Sequence, residues 1–211
     1  MLTLPEHIIK VEPITPSISI SWMLGSRCNY DCMYCPTELH DVTSKHPSFE
    51  QLVSVWDSMV KKTQHQHIGY KLSFTGGEVS ANRNFIPLLE HIRSSNVTIN
   101  QIVVTTNGSA SEKYYIRLSH LVDAISFSVH SEFFNEQDFF NKVLAVSKLM
   151  QRPKKSTHVN IMDEFWNQQR IPLYTAWLDQ HNISYSVNKI DYLQKIRSTP
   201  VLKGVYNIEQ I

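Results

Sequence analysis

An α/β fold is what the sequence predicts, an open (β/α)6 partial barrel in which a curved parallel sheet is backed by outer helices. Three observations lead there. Short β-branched or apolar segments alternate with segments of helical periodicity along most of the chain, and alternation of that kind implies βαβ units and a parallel sheet with right-handed crossovers. Six strands and five intervening helices can be read, too few to close an eight-stranded TIM barrel. The polar motifs fall where strands end, on the rim at which parallel architectures place their chemistry.

The elements follow in order. Ser17 to Gly25 (SISISWMLG) nearly alternates and forms the first strand. Ser48 to Lys62 sets Phe49, Leu52, Val53, Trp56, Met59 and Val60 at helical spacing behind a Ser48/Gln51 capping box. Ile68 to Phe74 is the second strand, and Phe85 to Arg93 a helix with Phe85, Leu88, Leu89 and Ile92 on one face. Gln101 to Thr106 is a strand, Lys113 to Leu121 a helix, Val122 to Val129 a strand and Glu136 to Met150 a helix. Thr157 to Ile161 is the fifth strand, Ile171 to Gln180 a helix with Pro172 near its start, and Ile183 to Val187 the sixth strand. A Pro-rich lead-in over 1–16, a core over 17–189 and a short C-terminal extension over 190–211 make up the expected organisation. The helix aromatics Trp56, Phe139, Phe140 and Trp177 are expected in the core, and Phe133 and Phe134 at a cleft mouth.

Composition narrows the function. Hydrophobic residues are 42% and charged residues 18% of the 211, a globular balance rather than a disordered one. Lys+Arg at 20 against Asp+Glu at 19 leaves a net charge of +1, and Arg152, Lys154 and Lys155 form the one basic cluster, so nucleic acid is not an expected partner. The first 20 residues carry Pro5, Glu6, Lys10, Glu12, Pro13 and Pro16 and lack a signal-peptide core. No run approaches the roughly 20 apolar residues of a membrane span. The expectation is a soluble, cytoplasmic protein with no membrane partner.

The 3 cysteines lie within eight consecutive positions, which suits metal or redox chemistry and not a disulfide framework. Cys28, Cys32 and Cys35 are spaced C-x3-C-x2-C, so one tight loop can wrap three corners of a cubane. Four cysteine ligands are usual for iron–sulfur clusters. With no fourth thiol, one iron stays open or takes another ligand. The competing reading is a structural zinc site completed by His40 or His46. Further motifs end the later strands: Thr75-Gly76-Gly77-Glu78, Thr105-Thr106-Asn107-Gly108, Ser128-Val129-His130-Ser131-Glu132 and Met162-Asp163-Glu164. Asn160, Asp163, Asn188 and Lys189, at the ends of the fifth and sixth strands, either face substrate or cap helices.

C-x3-C-x2-C with Tyr34 before the last cysteine, followed one helix and one strand later by Gly76-Gly77-Glu78, resembles the radical S-adenosylmethionine superfamily over roughly Ser17 to Asn188. The resemblance implies a [4Fe-4S] cluster on Cys28, Cys32 and Cys35 whose open iron is chelated by S-adenosylmethionine. It also implies reductive cleavage of the S–C5′ bond to a 5′-deoxyadenosyl radical, which abstracts hydrogen from a small-molecule or peptide substrate. By motif position, Gly76 and Gly77 allow close approach to the methionine ammonium, with the Glu78 carboxylate nearby, and Tyr34 packs on adenine. Asn107, Ser126, Ser128 and His130 become candidates for ribose and carboxylate contacts, the last three sharing one face of a strand. Val79 stands where many members have proline. An electron donor such as flavodoxin or ferredoxin is implied, and no auxiliary-cluster domain is expected. A glycyl-radical activating enzyme and a non-enzymatic zinc or iron–sulfur protein are the alternatives.

Overall fold

In a computed structural model that describes residues 17–36, 40–63 and 69–190, six strands form one sheet in the order β1-β2-β3-β4-β5-β6. The strands are β1 (Ser17–Met23), β2 (Gly69–Thr75), β3 (Ile99–Thr106), β4 (Ala124–Val129), β5 (Ser156–Asp163) and β6 (Ser184–Lys189). Every neighbouring pair is parallel. Among the described residues β1 and β6 do not pair with each other, so the barrel stays open, as its number of units requires. The helices are α1 (Phe49–Thr63), α2 (Phe85–Ser94), α3 (Glu112–Leu121), α4 (Glu136–Leu149) and α5 (Ile171–Gln180). The lead-in and all but the first residue of the C-terminal extension lie outside the described residues, as does Ile68, with which the second strand was expected to begin.

Caps explain most helix boundaries. Ser48 and Gln51 exchange the two hydrogen bonds of a capping box, Ser48 N–H to Gln51 Oε1 at 2.8 Å and Gln51 N–H to Ser48 Oγ at 3.3 Å. Ser111 accepts from Tyr114 N–H and starts α3, and Asn135 accepts from Asp138 N–H and starts α4. The strands differ more from expectation. The first stops at Met23, since Gly25 takes φ +128°, outside the extended region. The fourth begins only at Ala124, because Val122 is the C-cap of α3. The fifth runs to Asp163, so Asn160 and Asp163 are strand residues and not helix caps. A 3-10 turn at Val79–Ala81, which no periodicity announces, follows the second strand.

Alternation puts one face of the sheet under the helices. Tyr70, Leu72 and Phe74, Ile102 and Val104, Ile125 and Phe127, and Val159 and Ile161 are all buried there, against Trp56, Leu88, Leu89, Leu118, Val143 and Leu178. Phe139, Phe140 and Trp177 join this core as expected. Phe134 does too, packing edge-on against Phe139 at 5.4 Å, and so leaves the cleft mouth to Phe133, which is 44% exposed. Trp56 is fully buried on α1 and meets Tyr70 edge-on at 5.4 Å. Its indole N–H has no hydrogen-bond partner among the described residues. Trp56→Ala is therefore expected to cost about 3–5 kcal/mol in denaturant unfolding, whereas Trp56→Phe, which removes that N–H and keeps a ring, should cost under half as much. Among the described residues no helix is long and apolar enough to cross a membrane.

Candidate active site

The loop after β1 is held by backbone pairing and not by a helix or strand of its own. Leu24 N–H donates to Thr75 O at 2.9 Å, and Cys28 N–H donates to Asp41 O at 2.9 Å while Asp41 N–H returns to Ser26 O at 3.0 Å. Asp41 also caps the following turn, accepting from Thr43 and Ser44 N–H and from the Ser26 hydroxyl, and these bonds hold its carboxyl well below the usual range. Within the cysteine loop, Cys35 N–H donates to Cys32 O at 3.0 Å and Tyr30 N–H donates to Cys28 Sγ at 3.4 Å. Glu132 reaches across from the end of β4 to accept from Met33 N–H at 3.1 Å. This carboxylate anchors the loop, and the sequence motif around His130 did not single it out.

The glycine pair after β2 docks on that loop. Gly77 N–H donates to Gly25 O and Glu78 N–H to Arg27 O, each at 2.9 Å. Gly76 takes φ +138°, and a Cβ there would meet Gly25 O at 2.6 Å. A Cβ on Gly77 would overlap the Arg27 carbonyl. The close approach expected of these glycines is therefore made first by the protein's own backbone.

Glu78 is buried at 4% exposure with both oxygens engaged: Oε1 accepts from Ser80 N–H at 2.8 Å and Thr106 Oγ1 at 2.6 Å, and Oε2 from Asn107 N–H at 2.6 Å. Burial pushes its carboxyl up against the pull of these donors. The side chain expected beside a ligand thus ties the end of β2 to the end of β3. Asn107, so placed, donates its amide to Asn29 Oδ1 at 3.0 Å and points toward Cys28 Sγ at 3.9 Å. Tyr115, absent from the expected set, braces the same corner through Thr106 at 2.9 Å.

Tyr34 and His130 form the other wall. Their rings are stacked at 5.9 Å and 16°, and the Tyr34 hydroxyl is hydrogen-bonded to His130 Nδ1. Tyr30 stacks on Phe133 at 5.3 Å, which places the exposed phenylalanine at the mouth. Behind Tyr34, fully buried Glu164 accepts from Ser131 N–H at 3.0 Å, and Trp166 Nε1 donates to the same serine's hydroxyl at 2.7 Å. Burial pushes the Glu164 carboxyl up, and burial likewise pushes two of the thiols up, Cys28 to about 11 and Cys32 further, with the Glu132 charge adding to the latter.

One cavity of about 220 Å³ collects these parts. All three cysteines, Tyr34, Gly76, Gly77, Glu78, Asn107, Ser128 and His130 line it, together with Tyr30, His40, Thr75, Thr105, Thr106 and Met162. Ser126 does not: it lies one step down β4, where Asn160 Nδ2 donates to its hydroxyl at 2.7 Å. His40 is buried and committed, its Nε2 2.5 Å from Tyr30 O and its Nδ1 3.6 Å from Asp31. His46 lines a separate small pocket with Leu24, Gly25 and Arg27. Among the described residues no group of three or more His, Cys, Asp or Glu side chains is arranged to hold a metal ion.

Burial lowers the His130 imidazole to about 4. Since the folded value lies below the ordinary one near 6.5, the neutral ring contributes stability above about pH 6.5 that is lost as pH falls through about 4. The stability difference between the wild type and His130→Gln, followed by urea unfolding, is expected to shrink over that window by up to about 3 kcal/mol. Titration of the raised carboxyls runs in the opposite direction and is common to both proteins.

Comparison with known proteins bears on this cavity. A family model described as the radical SAM superfamily matches residues 22–161. The GTP 3′,8-cyclase of Pasteurella multocida (strain Pm70) is 37% identical over 113 residues, 51% of this chain and 33% of that protein. A probable GTP 3′,8-cyclase of Thermoplasma volcanium is 29% identical over 126 residues, 59% of this chain and 36% of that protein. The chain thus spans about a third of the length of the curated relatives it matches. Among solved structures, BtrN in complex with AdoMet and 2-DOIA aligns with a TM-score of 0.47 and 16% identity, covering 85% of this chain and 71% of that one.

Proposed function

Because the chain belongs to the radical S-adenosylmethionine superfamily, whose enzymes use a [4Fe-4S] cluster and S-adenosylmethionine, we propose that the cavity at the C-terminal ends of its strands is the active site of such an enzyme. The observation that carries this reading is that three thiols of one loop line a cavity with the glycine pair and Glu78 docked on the same loop. Cys28, Cys32 and Cys35 would hold the cluster, and the donor set fits: three soft thiolates suit iron–sulfur ligation, and the absence of a fourth leaves one corner open. When bound, the two cofactors supply reductive cleavage of S-adenosylmethionine and a 5′-deoxyadenosyl radical able to take hydrogen from substrate.

The chain's own residues bind, orient and exclude water. Gly76 and Gly77 present backbone free of side chains to the cavity, and Glu78 fixes that backbone relative to Asn107. Asn107 and Ser128 offer an amide and a hydroxyl for ribose or carboxylate, and Ser126 serves one step below. Tyr34, clamped by His130, offers a ring face for adenine. Neutral His130 accepts or donates one hydrogen bond without placing a second positive charge beside a sulfonium. Electrons would come from a small reductant such as a flavodoxin or ferredoxin. The substrate is a small molecule or peptide, and the relatives' names make GTP the first compound to try.

Anaerobic reconstitution with iron and sulfide, followed by dithionite and S-adenosylmethionine, is expected to yield 5′-deoxyadenosine. A protein that takes up zinc in preference to iron and yields none would overturn the reading.

A further inference from the structure

The sheet face turned away from the helices is unlike that of a sheet covered on both sides, which is apolar throughout. On β4, β5 and β6 the residues on this face are mostly polar, among them Ser126, Ser128, His158, Asn160, Ser186 and Asn188, with Ala124 and Met162 apolar. Register sets them in rows: Ser128, Asn160 and Ser186 lie side by side, as do Ser126, His158 and Ser184. Strand spacing and the two-residue repeat make this a grid of roughly 5 by 7 Å, on the scale of one sugar ring. The upper end of the grid opens into the cavity, since Ser128 and, in the row above it, Met162 line it.

These groups are preorganised. Asn160 is the hub: its Nδ2 donates to Ser126 Oγ at 2.7 Å, and its Oδ1 accepts from Ser186 Oγ at 2.9 Å and Asn188 Nδ2 at 3.4 Å. His158 spans the next two positions, Nδ1 3.0 Å from Ser184 Oγ and Nε2 3.2 Å from Ser186 Oγ. Ser126 and Ser128 keep hydrogen-bonding capacity beyond these contacts, whereas Ser186, which donates to Asn160 and also meets His158 and Asn188 Nδ2 at 3.3 Å, holds the grid together. Charge is nearly absent: on this face of the described strands Lys71 of β2 is the one Lys, Arg, Asp or Glu. A triphosphate calls for a cluster of cations, whereas uncharged donors and acceptors in rows suit hydroxyls and amides.

Resting on the radical-enzyme reading above, we infer that the concave face of β5 and β6, beside the cofactor positions Ser126 and Ser128, is the substrate-recognition surface and that it takes a neutral, polyhydroxylated ligand, a sugar or nucleoside moiety, with Asn160 as its positioning hub. Phosphate groups contribute little to binding there.

Isothermal titration of the full chain with guanosine, glucose and GTP tests this, with Asn160→Leu and Ser186→Ala run beside the wild type and circular dichroism confirming that each variant folds. Guanosine or glucose should bind, GTP should bind no more than about threefold tighter than guanosine, and Asn160→Leu or Ser186→Ala should weaken binding tenfold or more. The titration is run without iron, sulfide or S-adenosylmethionine, so a failure of cofactor chemistry leaves recognition measurable on its own. No binding by either neutral compound, binding by GTP alone, or affinity unchanged in both folded concave-face variants would overturn the inference.

Discussion

Cys32→Ala is expected to abolish 5′-deoxyadenosine formation and to leave the reconstituted protein with less than a tenth of the wild-type cluster absorbance. Cys32 is the middle ligand of the proposed set and, at 5% exposure, the most enclosed of the three thiols. Its neighbours cannot substitute. His40 is already bonded to Tyr30 O and placed by Asp31, and Glu132 is spent on Met33 N–H. The chain holds 3 cysteines, so removing one leaves two soft donors, too few to retain a cubane. Burial pushes Cys28 up to about 11 and Cys32 further, so loading must release protons from these two and should proceed faster as pH rises from 7 to 9. The fold itself should survive, because Cys32 packs in a satellite cluster with Tyr34 and Trp166 and not in the main core. A thermal melt within a few degrees of the unloaded wild type, together with lost iron, is the expected pair of results. Full cluster loading in the variant would mean that a different donor set operates.

Gly77→Ala should be severely damaging, since its Cβ clash is with backbone. The added Cβ would fall on the Arg27 carbonyl and against Ser26 O, atoms of a backbone that the Gly77–Gly25 and Glu78–Arg27 hydrogen bonds hold in place at 2.9 Å. Relief requires separating the glycine turn from the cysteine loop, which breaks those bonds and withdraws Glu78 from Asn107. A loss of about 3 kcal/mol or more is expected, a fall in Tm of roughly 10 °C for a chain of this size, with iron uptake impaired in the fraction that folds. Gly69→Ala is the matched control. There the Cβ would meet only the Asn100 side-chain amide, which can rotate away, so the change should cost under about 1 kcal/mol. Equal melting temperatures for the two variants would show that the loop–turn contact is not tight.

Much of this was legible beforehand, for reasons that differ by element. Helices α1 and α5 were readable because their signals are local: a capping box at Ser48 and Gln51, and a proline at the start of α5. The start of β4 was not, since Val122 is as apolar as any strand residue and only the closing hydrogen bond to Leu118 O makes it a helix cap. Phe133 and Phe134, adjacent and chemically alike, part company because one meets Tyr30 at the mouth and the other Phe139 in the core.

For the site the division is the same. Sequence alone determined which loops meet around the cavity, because thiol spacing is a property of one short segment and because parallel βα units deliver every strand end to a common rim. It determined the open sheet as well, through the number of units. Tertiary structure decided what each polar residue does there. Glu78 became a strut between β2 and β3, Glu132 and Glu164 became anchors for the cysteine loop and the end of β4, and Ser126 fell below the cavity. Those roles depend on which hydrogen-bond partners arrive from 28 to 99 residues away. A buried carboxylate or hydroxyl takes its function from the partners that satisfy it, and no local pattern specifies them.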